Sequence, residues 1–216
     1  MTEMDNWSAH RSSGLYGLEN WGNPYFGIND KGHVTVSPDG PNGPSADLQE
    51  LVEGLVQRDI ELPVLFRFNG ILRHRVKTLN LAFQNAIAEH DYKGTYYPAY
   101  PIKVNQQRHV VDVLLKAGED CQMGLEAGSK PELIAVLGIQ NGGNPFFLCN
   151  GYKDAEYIEL ALMAKKLGRR PIITIEKLSE LPLILEVAQK LGVEPDIGFR
   201  LKLTTKGAGR WEKSGG

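Results

Sequence analysis

The sequence predicts an α/β fold in which helices cover a parallel sheet, and three observations carry that prediction. From residue 63 onward, short apolar runs alternate with amphipathic stretches. The alternation recurs about every 25 to 30 residues, the length of one βα unit. Several of the amphipathic stretches open on a residue suited to capping a helix. Six such units fit either an open doubly wound sheet or a (β/α)8 barrel, and composition does not choose between them. The first βα turn carries no G-x-G-x-x-G, which removes the best support for the dinucleotide-binding form of the open sheet.

Residues 1–62 precede the repeating pattern and read as an extension. Within it "YFGINDKGHVTVS" predicts a β-hairpin turning on Asn29, Asp30, Lys31 and Gly32, residue types that favour tight turns. "PDGPNGP" at 38–44 is a turn-rich connector into a helix expected near Ser45. The extension reads equally as a separate β module or as a cap on a barrel floor. Residues 63–216 then form the barrel portion, with strands expected at 63–68 (PVLFRF), 95–103 (TYYPAYPIK), 121–126 (CQMGLE), 145–150 (PFFLCN), 170–176 (RPIITIE) and 196–203 (DIGFRLKL).

Helices are expected between the strands. Over 71–90 the residues Leu72, Val76, Leu79, Phe83 and Ile87 recur three or four apart, the spacing of one helix face. Further helices fall at 106–117, 129–138, 154–167 and 179–191. Ser129 stands before Lys130, Pro131 and Glu132, a cap followed by proline and an acid in the first turn. Ser179 opens the last helix, which stops at Gly192. The polar, glycine-rich "TTKGAGRWEKSGG" closes the sequence as a loop.

The totals narrow the function. The 216 residues suffice to bury a core, and 24 Lys+Arg against 26 Asp+Glu leave a net charge of -2. Neither nucleic acid nor an anionic membrane is suggested as a partner, so a small-molecule substrate is expected. Cys121 and Cys149 lack the paired spacing of a metal knuckle and read as reduced residues in buried strands. The N-terminus has no apolar segment behind a basic start, and no apolar run is long enough to span a bilayer, so a cytoplasmic protein is expected. The five histidines never approach each other at helical ligand spacing.

Barrel active sites are assembled at the C-terminal ends of the strands. The residues expected there are polar: Lys103, Glu126, Asn150, Glu176, and Arg200 with Lys202. Glu176 and Asn150 read as a helix-leading acid and a cap. Lys103 differs, because period-two alternation puts it on the face of Ala99 and Pro101, small residues that leave room for something flat. A proline within a strand breaks a local rule, and such violations mark functional sites. Apolar walls would strip water from an ammonium group and raise the share of free amine, the form that attacks an aldehyde. A lysine snorkelling to water from a strand end is the competing account. Arg200 and Lys202 share one parity of their strand, and Ile197, Phe199, Leu201 and Leu203 the other. If the apolar parity meets the helices, Arg200 points into the barrel and needs an anionic or electron-rich partner, either a ligand or Glu126 or Glu176.

"YPIKVNQ" (100–106) followed by "GLEAGSKPEL" (124–133) resembles the pyridoxal phosphate segment of the alanine-racemase-like barrel decarboxylases of fold type III. "WGNPYFGINDKGHVTVSP", "CNGYKDAEYIELAL" and "GRWEKSGG" are similar to the biosynthetic arginine decarboxylases in particular, more than to ornithine or diaminopimelate relatives. The resemblance covers nearly the whole sequence. It implies pyridoxal 5'-phosphate held on Lys103 as an internal aldimine. It also implies Glu126 beside the cofactor, able to hold the lysine as its ammonium once substrate displaces it. Glu132 falls at a second acidic position of the family, and Arg200 would lie near the cofactor ring.

The activity implied is decarboxylation of L-arginine to agmatine and CO2 through a cofactor–substrate aldimine, a step of polyamine biosynthesis or arginine catabolism. Mg2+ and at least a homodimer are implied as well. Family members are far longer, so the sequence is expected to hold roughly a third of the enzyme, an incomplete barrel whose isolated chain would be inactive and aggregation-prone. A decarboxylase of another basic amino acid and a non-catalytic pyridoxal phosphate barrel are the alternatives.

Overall fold

Where the βα pattern predicts a parallel sheet, one forms. The computed structural model describes residues 7–139 and 146–201, and these fall into two compact units, one ending at Asp91 and the other beginning at Tyr92.

The first unit opens with helix α1 (Ala9–Leu15), whose N-cap Ser8 accepts a hydrogen bond from the Arg11 amide, and the short α2 (Leu18–Trp21). Strand β1 (Phe26–Ile28) pairs antiparallel with β2 (Val34–Val36). The connecting turn closes on the Asn29 side chain, which accepts from the Lys31 and His33 amides. Gly32 sits there at φ 84°, a left-handed conformation that a side chain would strain. Strand β3 (Ala46–Asp47) adds to β2 before helix α3 (Leu48–Val56) begins. The helix expected near Ser45 therefore starts later, at the point where the Asp47 carboxylate caps it by accepting from the Gln49 and Glu50 amides.

Residues 63–68 do not form the strand expected of them, because no neighbouring strand offers them a ladder among the described residues. Phe68 instead turns edge-on to Phe26 of β1 and stacks with Phe66, while Leu65 is left exposed. Helix α4 (Asn69–Glu89) follows directly. It is held by its own unit: His74 Nδ1 meets the Tyr25 hydroxyl at 2.8 Å, and Gly70 backs closely onto Pro38. The division between the two compact units falls after α4, at Asp91.

Among its described residues the second unit carries five parallel strands in chain order: β4 (Ala99–Pro101), β5 (Gly124–Ala127), β6 (Phe146–Cys149), β7 (Arg170–Ile175) and β8 (Asp196–Phe199). Between them run α5 (Arg108–Ala117), α6 (Lys130–Ile139), α7 (Ala155–Lys166) and α8 (Glu180–Leu191). Registers place Leu125, Phe147 and Pro171 in one row across the sheet, and Ala127, Cys149, Ile173 and Ile197 in the next. This parity packs against Leu133 and Val136 of α6, Ile158 and Leu162 of α7, and Ile184 of α8 in one core. Each of these aliphatic side chains, buried in full, contributes about 1.5 to 3 kcal/mol. On the opposite parity Glu126, Leu148 and Ile172 are half-buried.

Three expectations change at the strand ends. The chain leaves the sheet after Pro101, so Lys103 lies in a 3-10 turn (Ile102–Val104) and not on a strand. Cys121 lies in a second 3-10 turn (Glu119–Cys121) and is half-buried, not in the β5 interior. The last strand stops at Phe199, one residue short of Arg200. Lys202 and "TTKGAGRWEKSGG" lie outside the described residues. Among the described residues no helix is long and apolar enough to cross a membrane.

Candidate active site

The C-terminal ends of β4 to β8 gather the polar residues of the second unit, and the local backbone explains how each is presented. At β4, Ile102 is buried and pins the 3-10 turn to the core, which turns Lys103 and Val104 outward. Pro101 costs no ladder bond on its far side, since β4 pairs only with β5 among the described residues. In register, Pro101 stands beside Glu126, and this juxtaposition brings Lys103 Nζ to 3.9 Å from Glu126 Oε1. The lysine side chain is 63% exposed and the glutamate 19%. The apolar walls expected around Lys103 are therefore absent among the described residues, and its ammonium faces a half-buried carboxylate and solvent.

Glu132 does something more local. Its amide donates to Ser129 Oγ at 3.4 Å, and its carboxylate accepts from the Gly128 amide at 2.7 Å. This is a capping-box arrangement shifted by one residue, and it fixes the turn from β5 into α6.

Beyond it, the ends of β6, β7 and β8 are tied into one hydrogen-bonded rim. The Asn150 amide donates to the Ala127 carbonyl at 2.8 Å. Gly151 follows at φ 75° with its Cα against the Gly128 carbonyl, where a Cβ would collide. Glu176, read from sequence as a helix-leading acid, has its carboxylate buried at the rim. It accepts from the Gly151 amide at 3.0 Å and from Arg200 Nη1 at 3.2 Å. Arg200 thus meets Glu176, one of the two partners the sequence allowed, and remains 54% exposed against 7% for the glutamate.

Sequence reasoning missed Lys153, Glu180 and Tyr157. The Lys153 ammonium lies 3.3 Å from Glu180 Oε2, with side-chain exposures of 0% and 5%. Burial pushes the Glu180 carboxyl up, but the Glu176 and Lys153 amides and the Lys153 ammonium outweigh it and hold the group below its ordinary value. Tyr157 is buried and donates from its hydroxyl to the Ala127 carbonyl at 3.1 Å; burial pushes its phenol upward. Beside it, burial pushes the Cys149 thiol up to about 12. Capping by Asp154, which accepts from the Tyr157 amide, was visible in "YKDAEY". That the preceding lysine is buried in full was not, because no periodicity marks a lone polar residue in a turn.

Among the described residues no cluster of three or more His, Cys, Asp or Glu could hold a metal ion. The arrangement offers instead an accessible amine beside a carboxylate at the mouth of a parallel sheet, and a guanidinium on the same rim. An amine so placed can carry an aldehyde cofactor, and the carboxylate can hold its proton.

Comparison with known proteins bears on this directly. The family described as "Pyridoxal-dependent decarboxylase, pyridoxal binding domain" matches residues 75–216. A protein of Thermosynechococcus vestitus named biosynthetic arginine decarboxylase is 50% identical over 216 residues, 100% of this chain and 34% of that protein. The crystal structure of the biosynthetic arginine decarboxylase from Campylobacter jejuni superposes with a TM-score of 0.77 at 32% identity, covering 88% of this chain and 32% of that one. Diaminopimelate decarboxylase from M. jannaschii shares the fold, with a TM-score of 0.62 at 22% identity over 85% of this chain and 37% of its own. The chain spans about a third of the length of the curated relatives it matches.

Proposed function

The chain belongs to the pyridoxal-binding-domain family of the pyridoxal-dependent decarboxylases, and on that premise we propose that the whole protein decarboxylates L-arginine to agmatine and CO2. The 50% identity to a named biosynthetic arginine decarboxylase over the full chain supports arginine as the substrate. The observation that carries the chemistry is the accessible Lys103 amine 3.9 Å from the Glu126 carboxylate.

The residues present fit pyridoxal phosphate. Lys103 would hold it by its amine with Glu126 beside that amine, Arg200 would meet it from the rim, and Glu132, which fixes the turn after β5, would border it. When bound, the cofactor supplies an electron sink for the pair left behind as CO2 departs. The protein's own part is positional and acid–base. Glu126, 3.9 Å from the Lys103 amine, would hold that lysine as its ammonium whenever it is not bound to the cofactor, a proton source at the rim. The reaction balances with one bond broken, Cα to carboxylate carbon, and one proton delivered to Cα. The Mg2+ implied by resemblance does not fit the described residues, which offer it no ligand cluster, and no step is assigned to it.

In this reading residues 63–216 are the N-terminal part of a (β/α)8 barrel whose remaining strands lie outside this chain, and residues 1–62 are an extension carrying the hairpin. A cytoplasmic homo-oligomer acting on a small molecule, without nucleic acid or membrane partners, accords with the near-neutral charge and the free cysteines. The test is agmatine and CO2 release by the whole protein supplied with pyridoxal phosphate and L-arginine, abolished by Lys103→Ala. Turnover of another diamino acid with none of arginine would overturn the substrate assignment.

A further inference from the structure

One carboxylate, that of Glu180, holds two turns from different strands. Its Oε1 accepts from the Lys153 amide at 3.1 Å, in the turn after β6, and its Oε2 accepts from the Glu176 amide at 2.9 Å, in the turn after β7. The Lys153 ammonium is 3.3 Å from the same Oε2 and donates to the Gly151 carbonyl. Gly151 in turn donates its amide to the Glu176 carboxylate, which holds Arg200. The bonds close a circuit through Gly151, Lys153, Glu180 and Glu176, and its one exposed member is the guanidinium attached to it.

An ion pair with essentially no exposed surface is weak grounds for stability, since desolvation offsets most of the attraction. The pair here lies not in the core between sheet and helices but at the strand ends, under the rim that bears Arg200. Each of its polar atoms is spent on backbone within two residues of Gly151 or on Glu176 itself. Such a circuit fixes where the Glu176 carboxylate stands, and a bidentate-capable guanidinium follows its carboxylate.

We propose that Glu180, together with Lys153, is a positioning residue that sets Arg200 through Glu176, so that the rim presents the guanidinium to the cofactor in one orientation. The inference rests on the assignment of Arg200 to pyridoxal phosphate made above.

The experiment uses the whole protein. Pyridoxal phosphate is titrated into the apo form of the wild type, Glu180→Gln, Arg200→Ala and the double variant, reading Kd by intrinsic fluorescence, the visible absorption of the bound cofactor, and the thermal midpoint. Glu180→Gln is expected to weaken cofactor binding on the order of tenfold, the scale of coupling within one hydrogen-bond network. In the Arg200→Ala background it is expected to weaken binding no further. Equal losses in both backgrounds, or a lowered midpoint with Kd unchanged, overturn the positioning role while leaving the Arg200 assignment standing. An Arg200→Ala variant that binds cofactor as the wild type does overturns both. Should Glu180→Gln fail to fold, Glu180→Asp carries the same comparison, because it keeps the charge beside Lys153 but shortens the reach to the Glu176 amide.

Discussion

A lysine with none of its side chain exposed needs a partner for its charge, and Lys153 has one in Glu180. Removing one member of such a pair leaves the other buried and uncompensated, at about 3 to 5 kcal/mol. Lys153→Met should therefore lower the urea midpoint steeply. Replacing both residues by apolar ones should restore little, because the Lys153 and Glu176 amides then lose their acceptor; full recovery in the double variant would contradict the circuit. The pH dependence follows with a definite sign. The Glu180 carboxyl sits below its ordinary value of 4.5, so the stability it contributes is complete above that value and is lost as pH falls through the lower folded one. The stability gap between wild type and Glu180→Gln should be widest near neutrality and close in acid. A gap unchanged down to pH about 3, below the ordinary carboxyl range, would contradict this. The cysteines give a separate check. With its thiol pushed up to about 12 by burial, Cys149 should resist thiol reagents in the folded state, while the half-buried Cys121 should label first.

At the scale of elements, the turns after β5 and β6 meet backbone to backbone at Gly128 and Gly151. The left-handed φ of Gly151 and the Gly128 carbonyl against its Cα leave no room for a methyl group. Gly151→Ala should cost about 2 kcal/mol or more through strain and displacement of the rim, seen as a lowered urea midpoint; an unchanged midpoint would mean that the two turns separate easily. The elements themselves were largely legible in the sequence. Five helices of the repeating pattern appear within a few residues of their expected ends, because their apolar faces recur at helical spacing; Ser129 accepts the Glu132 amide as a cap should, whereas Ser179 makes no side-chain cap bond and Asp154 caps α7 instead. Residues 63–68 misled because an apolar run specifies extended chain, whereas a strand also needs a neighbour with free ladder groups. Lys103, singled out by its place at the end of an apolar run, was put on the wrong element, since the buried Ile102 draws the chain into a 3-10 turn that period-two reading cannot foresee.

For the whole molecule, the sheet has two strands with a single neighbour among the described residues, β4 and β8. Val104, Phe199 and Leu201 stand exposed beside them. Unpaired edges flanked by apolar side chains invite association. The 216-residue chain by itself should elute as multimers on size-exclusion and release no CO2 from arginine; monodisperse, active monomers would contradict the view that the barrel is completed elsewhere. The candidate site was only partly legible in the sequence. Lys103 and Glu126 come from segments with a recognisable family pattern, but the circuit beneath Arg200 joins turns 25 to 27 residues apart, and only folding brings those together. The most direct measurement is reduction of the cofactor-loaded whole protein with borohydride, followed by peptide mass mapping. The account predicts a single pyridoxyl adduct, on Lys103. An adduct on another lysine, or none at all, would contradict it.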